Sequence, residues 1–367
     1  MNDTVETKWW HAAGGGRVQC DLCPRGCRMA EGQRGFCYVR MNRGGRVVLA
    51  TYGRSSGFCV DPIEKKPLNH FFPGTSVLSF GTAGCNLGCR FCQNWDISKS
   101  REFQTLTDQA SPGEIAWTAR ELGCHSVAFT YNDPLVFFEY AVDVADACRE
   151  AGLRTVAVTA GYVNPDPRAE FFRHMDAANV DFKAFSDGFY RRLCGGARLG
   201  AVKDTLVHLR HKTDVWFEMT TLLIPGENDS TGEIEAMAAW VVDRLGVDVP
   251  WHFSAFHPSW KMSGYSPTPL VTLRRARRIA KEAGVRHVYL GNVHDMVSDT
   301  TYCSGCGAPL IRRDWYEILD WNLAPGGKCP QCGEILPGVF DDEPGGWGRR
   351  RMTVSCDGGG KTDVPDR

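Results

Sequence analysis

Apolar and polar positions change rhythm twice along this chain. Between about residues 76 and 294, short β-rich apolar runs alternate with helix-like segments. The runs are SVLSFGTAG, SVAFTYNDP, RTVAVTAGY, NVDFKAF, VWFEMTTLLIP, WHFSAFHP and HVYLGNVH, and the helix-like segments include 112–122, 137–151, 201–211, 231–245 and 273–283. The runs are too apolar for half-exposed strands, so the alternation predicts a parallel sheet of βαβ units. An open doubly wound sheet and a (β/α) barrel share this pattern. The strand ends separate them: each run finishes in polar groups, namely Thr82, Thr130, Asn132, Asp133, Thr159, Lys183, Thr220, His257, Asn292 and His294. In barrels such ends converge on one active-site face. The expected fold is therefore α/β, a partial or full TIM-like barrel.

The flanks read differently. Residues 1–68 are rich in Cys, Gly and Arg without a long periodic run, as expected of a small ligand-stapled unit. The barrel is expected over 69–298, a four-cysteine module over 299–340, and a disordered tail over 341–367, where Gly, Asp and Arg accumulate. With 42 basic and 43 acidic residues the formal net charge is −1, so nothing in the balance points to nucleic acid or an anionic membrane. The N-terminus lacks an apolar targeting core, and no run is long enough to span a bilayer. A cytoplasmic location is expected.

That location changes the meaning of sixteen cysteines, because cytosolic thiols stay reduced and clustered ones then read as ligands. Cys303, Cys306, Cys329 and Cys332 form two C-x-x-C knuckles, each followed by Gly, the pattern of a closed tetrahedral site such as a zinc ribbon or rubredoxin-like iron. Zinc is the expected metal. Cys20, Cys23, Cys27 and Cys37 have C-x2-C-x3-C-x9-C spacing, compatible with zinc, with a second iron–sulfur cluster, or with partial ligation. Cys85, Cys89 and Cys92 are three, with no fourth nearby. Three thiolates on one loop can hold three irons of a cubane and leave the fourth open to a substrate or cofactor.

The stretches CDLCPRGC, GCNLGCRFCQNWDIS, FTYNDP, TAGYVNP, DFKAF, LLIPGEND, HFSAFHP, YLGNVH and YCSGCGAPLI together resemble the radical SAM superfamily. Within it they resemble the branch of glycyl-radical-enzyme (pyruvate formate-lyase) activating enzymes, and most specifically the radical SAM enzyme of the AmmeMemoRadiSam system. The resemblance implies that Cys85, Cys89 and Cys92 hold a [4Fe–4S] cluster whose open iron binds S-adenosylmethionine. It implies SAM contacts from Thr130, Tyr131, Asn132 and Asp133, with Asp133 standing where many similar sequences carry Glu, and from Thr159, Asp181, Lys183 and His257. Phe91 is suited to pack against the adenine, or simply to fill the core. Implied partners are a flavodoxin or ferredoxin as low-potential donor and the partner proteins of that system.

The activity implied is reductive SAM cleavage followed by hydrogen abstraction from a small molecule or peptide side chain. Generation of a glycyl radical on a partner protein is a second possibility within the same chemistry, and a non-catalytic zinc/iron–sulfur scaffold or redox sensor stands outside it. Three other positions are singled out. His70 reads as a packing turn, Glu218 as an inward residue that contacts substrate or pairs with a Lys or Arg, and Cys194 as a thiol worth testing for reactivity.

Overall fold

The structure is a computed structural model that describes residues 4–99, 106 and 108–356. All seven apolar runs become strands: β1 (Ser76–Phe80), β2 (Ser126–Phe129), β3 (Arg154–Thr159), β4 (Ala177–Asp181), β5 (Trp216–Leu223), β6 (Trp251–Ala255) and β7 (Val288–Gly291). Helices separate them: α1 (Pro112–Glu121), α2 (Phe138–Glu150), α3 (Pro165–Phe172), α4 (Leu199–Lys212), α5 (Thr231–Leu245) and α6 (Leu270–Glu282). Local sequence fixes several helix starts. Ser111 and Glu114 form a reciprocal capping box with Pro112 at the first position of α1, and Ser230 caps α5.

Strand order in space follows order in sequence, and every neighbouring pair from β1 to β7 is parallel. A doubly wound sheet requires a point where that order reverses. Its absence here, with right-handed crossovers, keeps the helices on one face and curls the sheet toward a barrel. The barrel is partial. Beyond β1 the sheet continues through two antiparallel strands, Phe58–Pro62 and Met352–Val354, and the two edge strands, β7 and Met352–Val354, are not paired with each other among the described residues.

Those added strands correct two boundaries. Phe58–Pro62 is wholly buried against β1, and Val18, Leu22, Val39 and Val47 join the same apolar core as the barrel, so the N-terminal unit is fused to the sheet. Residues 341–356, expected to be disordered, instead supply a strand on the sheet edge. Main-chain pairing with Phe58–Pro62 gives that polar stretch the partners its composition does not advertise. The remainder of the expected tail, 357–367, lies outside the described residues.

The C-terminal module is a three-stranded antiparallel sheet, Thr301–Tyr302, Pro309–Asp314 and Glu317–Trp321, over a small core of Leu310, Ile311 and Leu336. It is bound tightly to the barrel through Arg313, which is 1% exposed and donates to the carbonyls of Asn69 at 2.7 Å and Asp299 at 3.2 Å. No helix among the described residues is long and apolar enough to cross a membrane.

Candidate active site

Cys85, Cys89 and Cys92 occupy the loop that leaves β1. The C-terminal ends of β2 to β6 and the residue after β7 surround the same cavity of about 310 Å³, contributing Thr130, Thr159, Asp181, Thr220, Ser254 and Asn292. Phe91, Tyr131, Asn132, Asp133 and Lys183 also line it. Of the residues expected at the three-cysteine and SAM site, all but His257 line this one space. That residue is exposed, faces the carbonyl of Asn292 at 3.4 Å and is not in the cavity lining.

Several of these side chains are committed to one another, which sharpens what each can do. Asn132 accepts from the Thr82 amide at 3.0 Å and donates to the carbonyls of Ala83 at 3.2 Å and Gly84 at 2.8 Å. It clamps the turn that delivers Cys85. Asp133 caps the short helix Pro134–Phe137 and accepts from Thr159 Oγ1 at 3.1 Å and the Ala160 amide at 3.0 Å, tying β2 to β3. Burial nevertheless raises its carboxyl to about 6. A carboxylate so occupied offers its loop's backbone more readily than its side chain. Tyr131 stands at a positive φ of 69° and donates to buried Asp61 at 3.2 Å.

Replacing Asn132 with Ala leaves three buried main-chain groups without their partner, a loss of roughly 1–3 kcal/mol. The expected outcome is a fall in iron and sulfide bound after anaerobic reconstitution, with the fold retained by circular dichroism. Full cluster content in Asn132→Ala would show that the clamp is dispensable.

Cations gather near the thiols. Lys183 lies 2.6 Å from Asp181 and 5.9 Å from the Phe91 ring centroid. Burial disfavours its charge, but the Asp181 carboxylate and the thiols of Cys89 and Cys194 outweigh it and hold its pKa above the ordinary lysine value. Lys99, donating to the Leu87 carbonyl at 2.6 Å, is a second cation in the lining. Sequence spacing gave no signal for Lys99. Nor did it single out the DPIEKKP segment, where Lys66 meets Asp61 at 2.7 Å in a fully buried pair beneath Tyr131. A pair of lysines between apolar runs was the available hint.

The flagged positions settle as follows. Cys194 is fully buried, its carbonyl accepts from the Gly88 amide at 3.1 Å, and its backbone forms an isolated antiparallel bridge with Cys89. Gly195 makes this approach feasible, since it sits at φ 69° and a β-carbon there would meet the Gly88 backbone at 2.7 Å. His70 is buried between the Pro337 carbonyl at 2.6 Å and Tyr289 Oη at 2.5 Å, as a packing residue. Glu218 does not pair with a Lys or Arg. It accepts from the amides of Asn69 and His70, from His252 Nε2 at 2.7 Å and from Trp216 Nε1.

The donor set suits a metal cluster and a polar ligand. Three thiols, three lysines and two aromatic rings face one cavity, and the buried atoms Thr220 Oγ1 and Asn179 Oδ1 in its wall have no hydrogen-bond partner. A second, narrower cavity lies beside it and shares Lys65, Pro67, Thr220, Ser254 and Asn292. Its far wall comes from the C-terminal module, as Arg313, Trp315 and Tyr316. The barrel mouth is thus closed from two sides: Lys65 and Pro67 come from the N-terminal unit and the remaining wall from the C-terminal module. Separately, the sulfurs of Cys303, Cys306, Cys329 and Cys332 all lie within 4.8 Å of one another, a group that could hold one metal ion.

Residues 80–241 match the model of the radical SAM superfamily. The chain is 39% identical over 321 residues to an uncharacterized protein of Methanocaldococcus jannaschii, covering 87% of this chain and 95% of the relative. It is 23% identical over 199 residues to the pyruvate formate-lyase-activating enzyme of Clostridium pasteurianum, covering 49% of this chain and 76% of that one. Among solved structures, a radical SAM methyltransferase from Sphaerobacter thermophilus aligns over 84% of this chain and 82% of its own, at 14% identity and a TM-score of 0.48.

Proposed function

We propose that this chain, which belongs to the radical SAM superfamily, cleaves S-adenosylmethionine reductively and uses the resulting carbon radical to take hydrogen from a small polar substrate. The observation that carries this is the single cavity shared by Cys85, Cys89 and Cys92 with the strand ends from β2 to β6. A [4Fe–4S] cluster there would supply the electron and the open iron at which SAM is held. The rest is work for this chain's own groups. Asn132 fixes the cysteine loop, Lys183 presents a half-buried positive charge suited to the methionine carboxylate, and Phe91 offers a face to the adenine.

The substrate belongs in the narrower adjoining cavity. Glu64 Oε2 and Arg313 Nε there are buried without hydrogen bonds, Arg313 Nε having only the Glu64 carboxylate at 3.9 Å, so a polar ligand would complete both. Closure by Lys65, Pro67, Trp315 and Tyr316 favours a small molecule or single side chain over a partner protein's loop, and it excludes water from a radical. The experiment is anaerobic incubation of reconstituted protein with dithionite and SAM, measuring 5′-deoxyadenosine. Product above the protein-free background supports the reading; none refutes it.

We assign zinc to the C-terminal four-cysteine group in a structural role, since four thiolates leave no open position. We further propose a low-potential donor, flavodoxin or ferredoxin, and a reducing cytoplasm, where clustered thiols stay available as ligands. Cys329→Ser is expected to lower zinc content by about one ion per chain. It should also make the segment from 300 onward cleavable by trypsin while the barrel persists. Unchanged zinc content counts against the assignment.

A further inference from the structure

We propose that Cys20, Cys23, Cys27 and Cys37 hold a second iron–sulfur cluster, of four irons, which relays electrons to the site at Cys85, Cys89 and Cys92. The relay rests on the SAM-cleaving reading above; the existence of the cluster does not.

The four cysteines line one small, mostly apolar cavity. A tetrahedral zinc site needs its sulfurs about 3.8 Å apart, because each Zn–S bond is about 2.3 Å. The C-terminal group meets that requirement, with Cys303 and Cys332 sulfurs 3.5 Å apart and those of Cys306 and Cys329 3.7 Å apart. Among the described residues it is the one set of three or more ligand atoms gathered within 4.8 Å. The N-terminal four surround their cavity without closing in this way, and so do Cys85, Cys89 and Cys92. A cubane carries its own irons and sulfides between the thiolates and requires that wider spacing.

Arg40 supplies an independent observation. It is 1% exposed and lines the same cavity. Its Nε donates to the Val136 carbonyl at 3.2 Å and its Nη2 to Glu139, while Nη1 is buried with no partner. A buried guanidinium with an idle donor is costly unless something accepts from it. A cubane held by four thiolates carries net negative charge and exposes sulfur acceptors, so it answers both the charge and the idle N–H. A single zinc ion would bring no sulfide acceptors of its own and would leave the cavity unfilled.

Placement accounts for the relay. The Cys37 carbonyl packs against Gly84, the residue before Cys85, so closely that a β-carbon at Gly84 would come within 2.0 Å of it. Arg25 donates to the carbonyls of Asn86 at 2.9 Å and Gly195 at 2.6 Å while lying 3.7 Å over the Phe36 ring. Asn86 also lines the N-terminal cavity. The two cysteine sets thus stand back to back across residues 84–86, and Phe36, beside the N-terminal set, is 48% exposed. A low-potential one-electron donor docking there reduces the N-terminal cluster by one electron. The same electron passes inward, with no bond made or broken.

The test is anaerobic reconstitution with iron and sulfide, counting iron, acid-labile sulfide and zinc per chain. Wild type is expected to hold roughly eight irons, and the Cys85→Ala/Cys89→Ala/Cys92→Ala variant to retain roughly four with an electron-paramagnetic signal on reduction. No iron in that triple variant, or loss of a second zinc rather than iron in Cys23→Ala/Cys27→Ala, overturns the cluster. This count is independent of whether SAM is cleaved. Should Cys23→Ala/Cys27→Ala fail to fold, Arg40→Met keeps all four thiols and is expected to move the N-terminal cluster's midpoint potential downward; an unmoved potential removes Arg40 from the site. For the relay, the ratio of flavodoxin-driven to dithionite-driven 5′-deoxyadenosine formation is expected to fall at least tenfold in Cys23→Ala/Cys27→Ala. An unchanged ratio overturns the relay.

Discussion

Cys89→Ala is expected to reduce 5′-deoxyadenosine formation to the protein-free background, a loss of at least about 10³-fold or roughly 4 kcal/mol at the transition state. The reason is local. Cys89 is 7% exposed, between Cys85 and Cys92 on the loop from β1, and no spare thiol on that loop can take its place. Cys194 is the one neighbour that could, since its backbone is bridged to that of Cys89. Cys194→Ala is therefore the paired experiment, expected to cost less than tenfold and to leave iron content unchanged. Equal loss of iron and product in both variants would mean that Cys194 completes the ligand set. The open iron on which the functional reading depends would then be gone.

The largest expected effect on stability comes from Glu218. This carboxylate is fully buried and receives four hydrogen bonds, from two backbone amides, an imidazole and an indole. Removing one partner of a buried charged network strands the others, at about 3–5 kcal/mol. For a chain of this size that corresponds to a melting temperature lower by roughly 5–10 °C. Glu218→Ala is predicted to show that fall in a thermal melt, with Glu218→Gln intermediate because it keeps the volume and one acceptor.

The same network sets a pH dependence. Burial alone would raise the Glu218 pKa, but the hydrogen bond and charge of His252, with His70 and the Asn69 amide, bring it below the ordinary glutamate value. A depressed acid stabilises the fold above its unfolded pKa, near 4.5, and that contribution is lost as pH falls through the lower folded value. Wild type should therefore lose melting temperature below about pH 4.5 more steeply than Glu218→Gln. Parallel curves would show that Glu218 is not held ionised.

How much of this was legible in the chain varies by the range of the interaction involved. Period and apolarity are properties of contiguous residues, so all seven strands could be read, with their C-terminal ends overshot into the loops, and the ends of α1, α2, α4, α5 and α6 fell within three residues. The spacing of Cys303, Cys306, Cys329 and Cys332 likewise announced a group whose sulfurs the fold gathers, and most of the polar strand ends line one cavity. The sequence pattern did not reveal partners far apart in the chain. Nothing local says that Glu218 meets His252, that Arg313 returns from the C-terminal module to Asn69, or that residues 352–354 complete a sheet begun at 58–62. Main-chain pairing is indifferent to side-chain composition, so a Gly- and Arg-rich stretch can become a strand once an edge is available.

By itself the sequence determined the parallel α/β architecture, the loop of three thiols and the resemblance that explains them, because each is encoded by spacing within a short stretch. Tertiary structure alone decided which polar side chains are free for chemistry and which are committed to bracing. It withdrew Asp133 and Asn132 into the scaffold, left His257 outside the cavity, and set Arg40 with an idle donor beside four cysteines. The physical reason is that a buried polar group's role is fixed by which partners lie within about 3 Å. That distance depends on the whole fold.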